Sequence, residues 1–203
     1  MLYREVPKNG DKLSILGYGC MRFPGRGQSI NQKLAESQLL SAIDRGVNYL
    51  DTAFPYHGGR SEPFVGKVVK ENNLRDKVKL ATKLPHRSIR SREEMDKMLD
   101  NQLKRLQTDR IDYYMIHGIN GKTWARAKRK GVFDFMDDAL KSGKVQNIGF
   151  SYHGSSEDFT AIVDEYDWTF CQIQYNYLDT ENQAGRSGLQ YAASKDMAVI
   201  IME

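Results

Sequence analysis

A parallel α/β barrel is the fold this sequence predicts, and three observations predict it. Short apolar runs start near Val47, Val78, Ile111, Val145, Thr169 and Met197, at the roughly 30-residue spacing of a strand–helix unit. Helical patterns fill the intervals. Each of the first four runs ends on a side chain with chemistry, Asp51, Lys83, His117 and Ser151, and the fifth carries Gln172. The C-terminal ends of parallel barrel strands share one rim, so these residues are expected to converge there. With Leu16–Met21 as the first strand, the chain supplies seven strands of a TIM (β/α)8-type barrel.

The chain opens with Leu2–Val6 and Leu13–Leu16 around Lys8-Asn-Gly-Asp11. Asn-Gly between alternating runs predicts a β-hairpin, because both residues tolerate positive φ. Pro24, Gly25 and Gly27 predict a loop, and a helix follows from about Asn31 to Arg45 with Gly46 as its stop. After Val47–Leu50 come Asp51 and, five residues on, Tyr56. Pro55, Gly58 and Gly59 keep that connection irregular, and Ser61-Glu62 opens a helix. Met95, Leu99, Leu103 and Leu106 mark one helix face, begun by the capping box Ser91-x-x-Glu94. Lys122–Lys130 reads as a solvated loop and helix start. Lys141-Ser-Gly143 ends the helix before Val145, and Phe159, Ile162, Val163 and Tyr166 mark another behind Ser155 and Ser156. No sequence repeats along the chain, which argues against a solenoid. Residues 1–203 are expected to form one domain.

The totals narrow function. With 40% hydrophobic residues the chain can bury one sizeable core. No apolar stretch nears the ~20 residues of a membrane helix, and the polar Met1-Leu-Tyr-Arg-Glu5 lacks the apolar core of a secretory signal. Cys20 and Cys171, far apart and without metal-ligand spacing, predict a cytoplasmic protein with no metal site. A net charge of +4 suits an anionic small molecule such as a phosphorylated cofactor and does not predict a nucleic-acid partner.

The rim residues make one chemical argument. A free phenol titrates near ~10, too high for efficient proton transfer at neutral pH. The Lys83 ammonium is expected to lower that value for Tyr56, and Asp51 to hold Lys83 charged. His117 is placed to orient a carbonyl by a hydrogen bond. Together they describe a general acid for carbonyl reduction, and the hydride has to come from a nicotinamide because no side chain carries one. Cys20 reads as a small packed residue rather than a nucleophile. Arg87, Arg90 and Arg92 read as solvated residues able to attract an anion. His57 and His153 fall on rim loops, where they either touch substrate or face solvent.

The chain resembles the aldo-keto reductases over essentially its whole length. The resemblance rests on the N-terminal hairpin, Gly17-Tyr-Gly-Cys-Met21, Asp51-Thr-Ala-x-x-Tyr56, Lys83 after Ala81-Thr82, and His117 after Asp112-Tyr-Tyr-Met-Ile. It implies NAD(P)H-dependent reduction of an aldehyde or ketone, with Tyr56 as the general acid, Lys83 and Asp51 tuning it, and His117 orienting the carbonyl. It further implies that Ser151 and Gln172 hold the nicotinamide carboxamide, and that Gly19, Cys20, Met21 and Asp51 lie near the cofactor's ribose and phosphate. Tyr152 stands where the family often has Asn. Met202 stands where an aromatic residue usually stacks on the nicotinamide, and a thioether also packs on a flat ring. NADPH is implied by family habit, with NADH as the alternative.

Met202-Glu203 resembles a bacterial-type branch of the family whose members often continue into a C-terminal segment carrying iron–sulfur cysteines, so a cluster is expected only with such a segment. Seven strands leave an open seam, and the chain is therefore expected to be C-terminally truncated and to bind cofactor weakly. Two readings compete with the reductase: a Schiff-base aldolase acting through Lys83, and a cofactor-sensing or scaffold barrel that turns over slowly.

Overall fold

The computed structural model describes residues 1–203. β1 (Tyr3–Glu5) and β2 (Lys12–Ser14) form an antiparallel hairpin. There follow β3 (Tyr18–Gly19), α1 (Gln32–Asp44), β4 (Tyr49–Asp51), a 3-10 turn (Tyr56–Gly59), α2 (Ser61–Glu71), β5 (Lys79–Leu84), α3 (Arg92–Leu106) and β6 (Ile111–Ile119). Two helices, α4 (Gly121–Lys128) and α5 (Val132–Lys141), precede β7 (Val145–Tyr152). Then come α6 (Ser156–Asp164), β8 (Phe170–Gln174), α7 (Gly185–Ser194) and β9 (Ala198–Met202). β3 to β9 lie in sequential order in one parallel seven-stranded sheet, curled in the manner of a (β/α)8 barrel, with β3 and β9 at its edges. No helix is long and apolar enough to cross a membrane.

Strand alternation divides the apolar residues into two layers. Tyr49, Ala81, Tyr113, Met115 and Phe170 face inward and pack together, and Val6 and Leu13 from the hairpin close the lower end. Their neighbours Leu50, Leu80, Tyr114, Ile116, Phe150 and Cys171 face outward into the larger core shared with the helices. Register carries the inward face from strand to strand: Ala81 lies opposite Tyr113, Lys83 opposite Met115, Met115 opposite Gly149, and Gly149 opposite Phe170. Gly149 is required here, since a Cβ would sit 2.4 Å from Phe170 O and 2.6 Å from its ring. Moving two residues up each strand from this layer reaches Asp51, Lys83, His117, Ser151 and Gln172.

Four local expectations are corrected. Only Gly10 of the Asn-Gly pair takes a positive φ (75°). The loop is wider than two residues, with Glu5 opposite Lys12, because Asn9 is drawn to the barrel base, where its Nδ2 donates to Asn147 Oδ1 at 2.7 Å. The strand expected over Leu16–Met21 shrinks to β3, two residues at a sheet edge, with Leu16 and Met21 exposed. The Ser91 capping box is half formed. Ser91 Oγ accepts from Glu94 N, but Glu94 Oε2 accepts from Arg90 N rather than Ser91 N. Most of Lys122–Lys130 is helix α4, capped reciprocally by Asn120 and Thr123 and anchored by buried Trp124 and Ala127.

Candidate active site

Asp51 ends β4, Tyr56 begins the turn after it, and Lys83 lies one residue from the end of β5. Lys83 Nζ donates to Asp51 Oδ1 at 2.7 Å, Thr52 O at 2.9 Å and Tyr56 Oη at 3.0 Å. An ammonium has three N–H groups, so every one is used, at a side chain only 1% exposed. Burial pushes the Lys83 pKa down, but Asp51 and Tyr56 pull it up further, and the net shift is upward. The amine is held charged.

An ammonium can only donate, so the Tyr56 oxygen is the acceptor and its own proton is free for another partner. Burial raises the Tyr56 pKa, Lys83 lowers it, Asp51 raises it, and the result is upward. This corrects the expectation that Lys83 would prevail. The phenol stays protonated at neutral pH, the form in which it can give a proton. The His117 ring meets the Tyr56 ring edge-on, with centroids 6.0 Å apart. Burial, reinforced by Lys83, His86, His153 and Arg87, takes His117 down to about 3. It is therefore neutral, with one ring N–H to donate.

A buried polar frame behind these residues was not anticipated. Glu62, fully buried on α2, accepts from Thr82 Oγ1 (2.6 Å), Gln102 Nε2 (2.7 Å) and Arg105 Nε (2.7 Å). Gln102 also donates to Lys83 O at 3.0 Å and accepts from Tyr114 Oη at 2.6 Å. Arg105 lies over the Phe54 ring and donates to Gly59 O, gripping both ends of the Tyr56 loop. One carboxylate thus ties the loop of Tyr56 to the strand of Lys83. One signal was available: Gln102 shares the apolar face of α3 with Met95, Leu99 and Leu106, where a glutamine needs buried partners.

Of the proposed cofactor contacts, Ser151 and Gln172 lie directly opposite each other on β7 and β8. Ser151 Oγ accepts from Gly118 N at 2.7 Å, and Gln172 Nε2 lies 3.3 Å from Asp51 Oδ2. Gly19, Met21, Asp51, Tyr56, Gln172 and Met202 all line the rim end of the gap between β3 and β9, which runs down to Val6 and Leu13 of the hairpin. Cys20 does not. Its side chain is fully buried in the helix-side core, where burial pushes the thiol pKa up. Tyr152 also turns outward, packing on Phe159 and donating to Ser155 O.

His57 is structural: its φ is 54°, and its Nε2 accepts from Phe23 N at 3.0 Å. His153 is exposed, with Nδ1 3.1 Å from Gln183 Oε1. Arg92 pairs with Asp96 and Asp138, whereas Arg87 donates to Gly118 O at 2.9 Å. No group of three His, Cys, Asp or Glu residues is arranged to hold a metal ion.

The sequence profile of the aldo/keto reductase family matches residues 15–203, and the chain belongs to that family. It is 29% identical to the aldo-keto reductase YhdN of Bacillus subtilis, over 99% of this chain and 61% of that protein. It is 24% identical to the aldo-keto reductase yakc [NADP(+)] of Schizosaccharomyces pombe, over 94% of this chain and 57% of that protein. The chain therefore spans less than two thirds of these relatives. The solved holo form of aldo-keto reductase AKR11C1 from Bacillus halodurans superposes with a TM-score of 0.82 at 23% identity, covering 99% of this chain and 65% of that one. The barrel fold is thus common to both.

Proposed function

We propose that this chain carries the proton-transfer half of an NAD(P)H-dependent reductase that converts an aldehyde or ketone to an alcohol. One observation carries the reading: all three Lys83 N–H groups are committed, one of them to the Tyr56 oxygen at 3.0 Å. Tyr56 is then the proton donor, with its proton directed away from Lys83 and toward a bound carbonyl. Asp51 keeps Lys83 charged, so that phenolate formed on proton loss meets a cation at once. Neutral His117 donates a hydrogen bond that orients the carbonyl oxygen. The Glu62 frame holds loop and strand in register.

The residues present suit a nicotinamide. Ser151 Oγ already accepts from Gly118, which leaves its O–H to donate. Gln172, 3% exposed beside it, makes no hydrogen bond through Oε1. A donor and an acceptor side by side match a primary carboxamide. Gly19, Met21, Asp51 and Met202 would wall the rest of the cofactor. When bound, the reduced nicotinamide supplies the hydride. NADPH is the favoured form, supported by the NADP(+) in the name of the yeast relative.

The aldolase alternative fits less well. A Schiff-base amine has to be neutral and reachable, and Lys83 is buried, fully hydrogen-bonded and held charged. The test is NADPH fluorescence titration, followed by NADPH oxidation with 4-nitrobenzaldehyde. Tyr56→Phe is expected to cut kcat by about 10²–10⁴-fold while NADPH still binds. Full turnover in that variant would remove Tyr56 from its role.

A further inference from the structure

Two cations beside the mouth of the site, Arg87 and Lys130, bond only backbone oxygens and have no carboxylate partners. Gly118, next after His117, has φ 59° and lies between two basic side chains. A Cβ built there would be 3.8 Å from the His153 ring and 4.0 Å from Arg87 Nη2. Arg87 Nη2 donates to Gly118 O at 2.9 Å, which fixes the guanidinium at the rim and leaves its other N–H groups unused. Lys130 reaches the backbone oxygens of His86 and Ile89 from α5's side of the loop, bringing a further cation to the same turn. Neither Arg87 nor Lys130 forms an ion pair. Arg92, five residues beyond Arg87, does pair, with Asp96 and Asp138. His86, on the same turn, is 1% exposed. The unpaired Arg87 and Lys130, with Arg87 held on Gly118 one residue from the proposed carbonyl-orienting histidine, mark a place for a negative group.

We propose that this mouth is an anion subsite, in which Arg87 with His153 holds a carboxylate carried by the carbonyl substrate. The free edge of a guanidinium matches the two oxygens of a carboxylate and would grip one end of the molecule while His117 and Tyr56 address the carbonyl at the other. The substrate class is then an oxo- or aldehydo-carboxylic acid rather than a neutral aldehyde. The inference rests on the carbonyl-reductase reading for its substrate, but the anion site can be tested without turnover.

Two pairs of aldehydes are compared with NADPH: 4-carboxybenzaldehyde with benzaldehyde, and succinic semialdehyde with butanal. The charged member of each pair is expected to show at least about tenfold higher kcat/KM, mostly through KM, in line with a charge-assisted hydrogen bond. Arg87→Gln should lower kcat/KM for the charged aldehydes at least about tenfold more than for the neutral ones. Arg90→Gln, on the same loop, should leave the preference in place. Independently, terephthalate is titrated into the chain while the His153 ring and Arg87 side-chain NMR signals are followed. Saturable shifts lost in Arg87→Gln are expected.

Turnover without charge preference, or a preference that survives Arg87→Gln, overturns the subsite and leaves the reductase reading standing. Absence of turnover together with Arg87-dependent terephthalate binding supports the subsite, and the reductase reading then rests on whether NADPH binds in the fluorescence titration. Terephthalate shifts that persist in Arg87→Gln, or no shifts at all, overturn the subsite.

Discussion

Removing the Lys83 ammonium tests the centre of the site without any substrate. Lys83→Met keeps the stem volume and deletes the charge. Its pair with Asp51 is 2.7 Å long, with side chains 1% and 16% exposed, so solvent screens it little. Breaking a buried pair by removing one partner costs about 3–5 kcal/mol. Asp51 retains some solvent and the long contact from Gln172 at 3.3 Å, which places the cost near the lower end, about 3 kcal/mol. Against a typical total of about 5–15 kcal/mol the variant should still fold. Asp51→Asn leaves the ammonium buried without its counter-charge and should cost at least as much. The double variant removes both charges, so its cost should fall short of the sum by about 1–3 kcal/mol. Urea unfolding followed by circular dichroism reads all three from shifts in midpoint at constant slope. Single costs below about 0.5 kcal/mol, or an additive cycle, would mean that the pair behaves like a solvated surface contact. The reading of Lys83 as a locked ammonium would then fail.

The site also makes stability depend on pH. Burial and nearby cations hold His117 down to about 3 and His86 down to about 4, below the ordinary ~6.5. Between those values the unfolded chain binds more protons than the folded one. The stability these rings contribute is complete above pH ~6.5 and is lost as the pH falls toward their folded values, at up to about 1.4 kcal/mol per unit for each ring. Urea midpoints measured across this range should fall less steeply in His117→Gln than in the parent; equal slopes would contradict the assignment. Gln102→Leu strips hydrogen bonds from Glu62, Lys83 O and Tyr114, and should destabilise by about 3 kcal/mol through the buried groups left unpaired. A loss under about 1 kcal/mol would mean those groups find other partners.

What the sequence revealed, and what it hid, follows from the range over which each feature is encoded. Asp51, Lys83 and His117 were legible because each sits at the end of an apolar run, and strand alternation then puts all three on one inward rim. The Glu62 frame was not, because its carboxylate meets Gln102 and Arg105 some forty positions away, and only packed helices bring them together. His57 looked like a rim histidine because a sequence does not show that its backbone turns left-handed and its ring points back to Phe23. The direction of the Tyr56 shift was misjudged for a related reason. Proximity to Lys83 can be guessed from spacing, but burial cannot, and here burial and Asp51 together outweigh the lysine.

The same geometry separates the two halves of the proposed reaction. Asp51, Lys83 and His117 lie on β4, β5 and β6, each paired on both sides within the sheet. Their frame comes from α2 and α3, packed directly behind. Gly19 and Met202, which would wall the cofactor, lie instead on the edge strands β3 and β9 and face the cleft between them. Lys83 does not line that cleft, so cofactor affinity should respond to changes at Gly19 and Met202 that leave the Lys83–Asp51 coupling untouched. If substitutions on the cleft face of β9 moved the Lys83–Asp51 coupling energy as much as they moved NADPH affinity, the two halves would have to be treated as one unit.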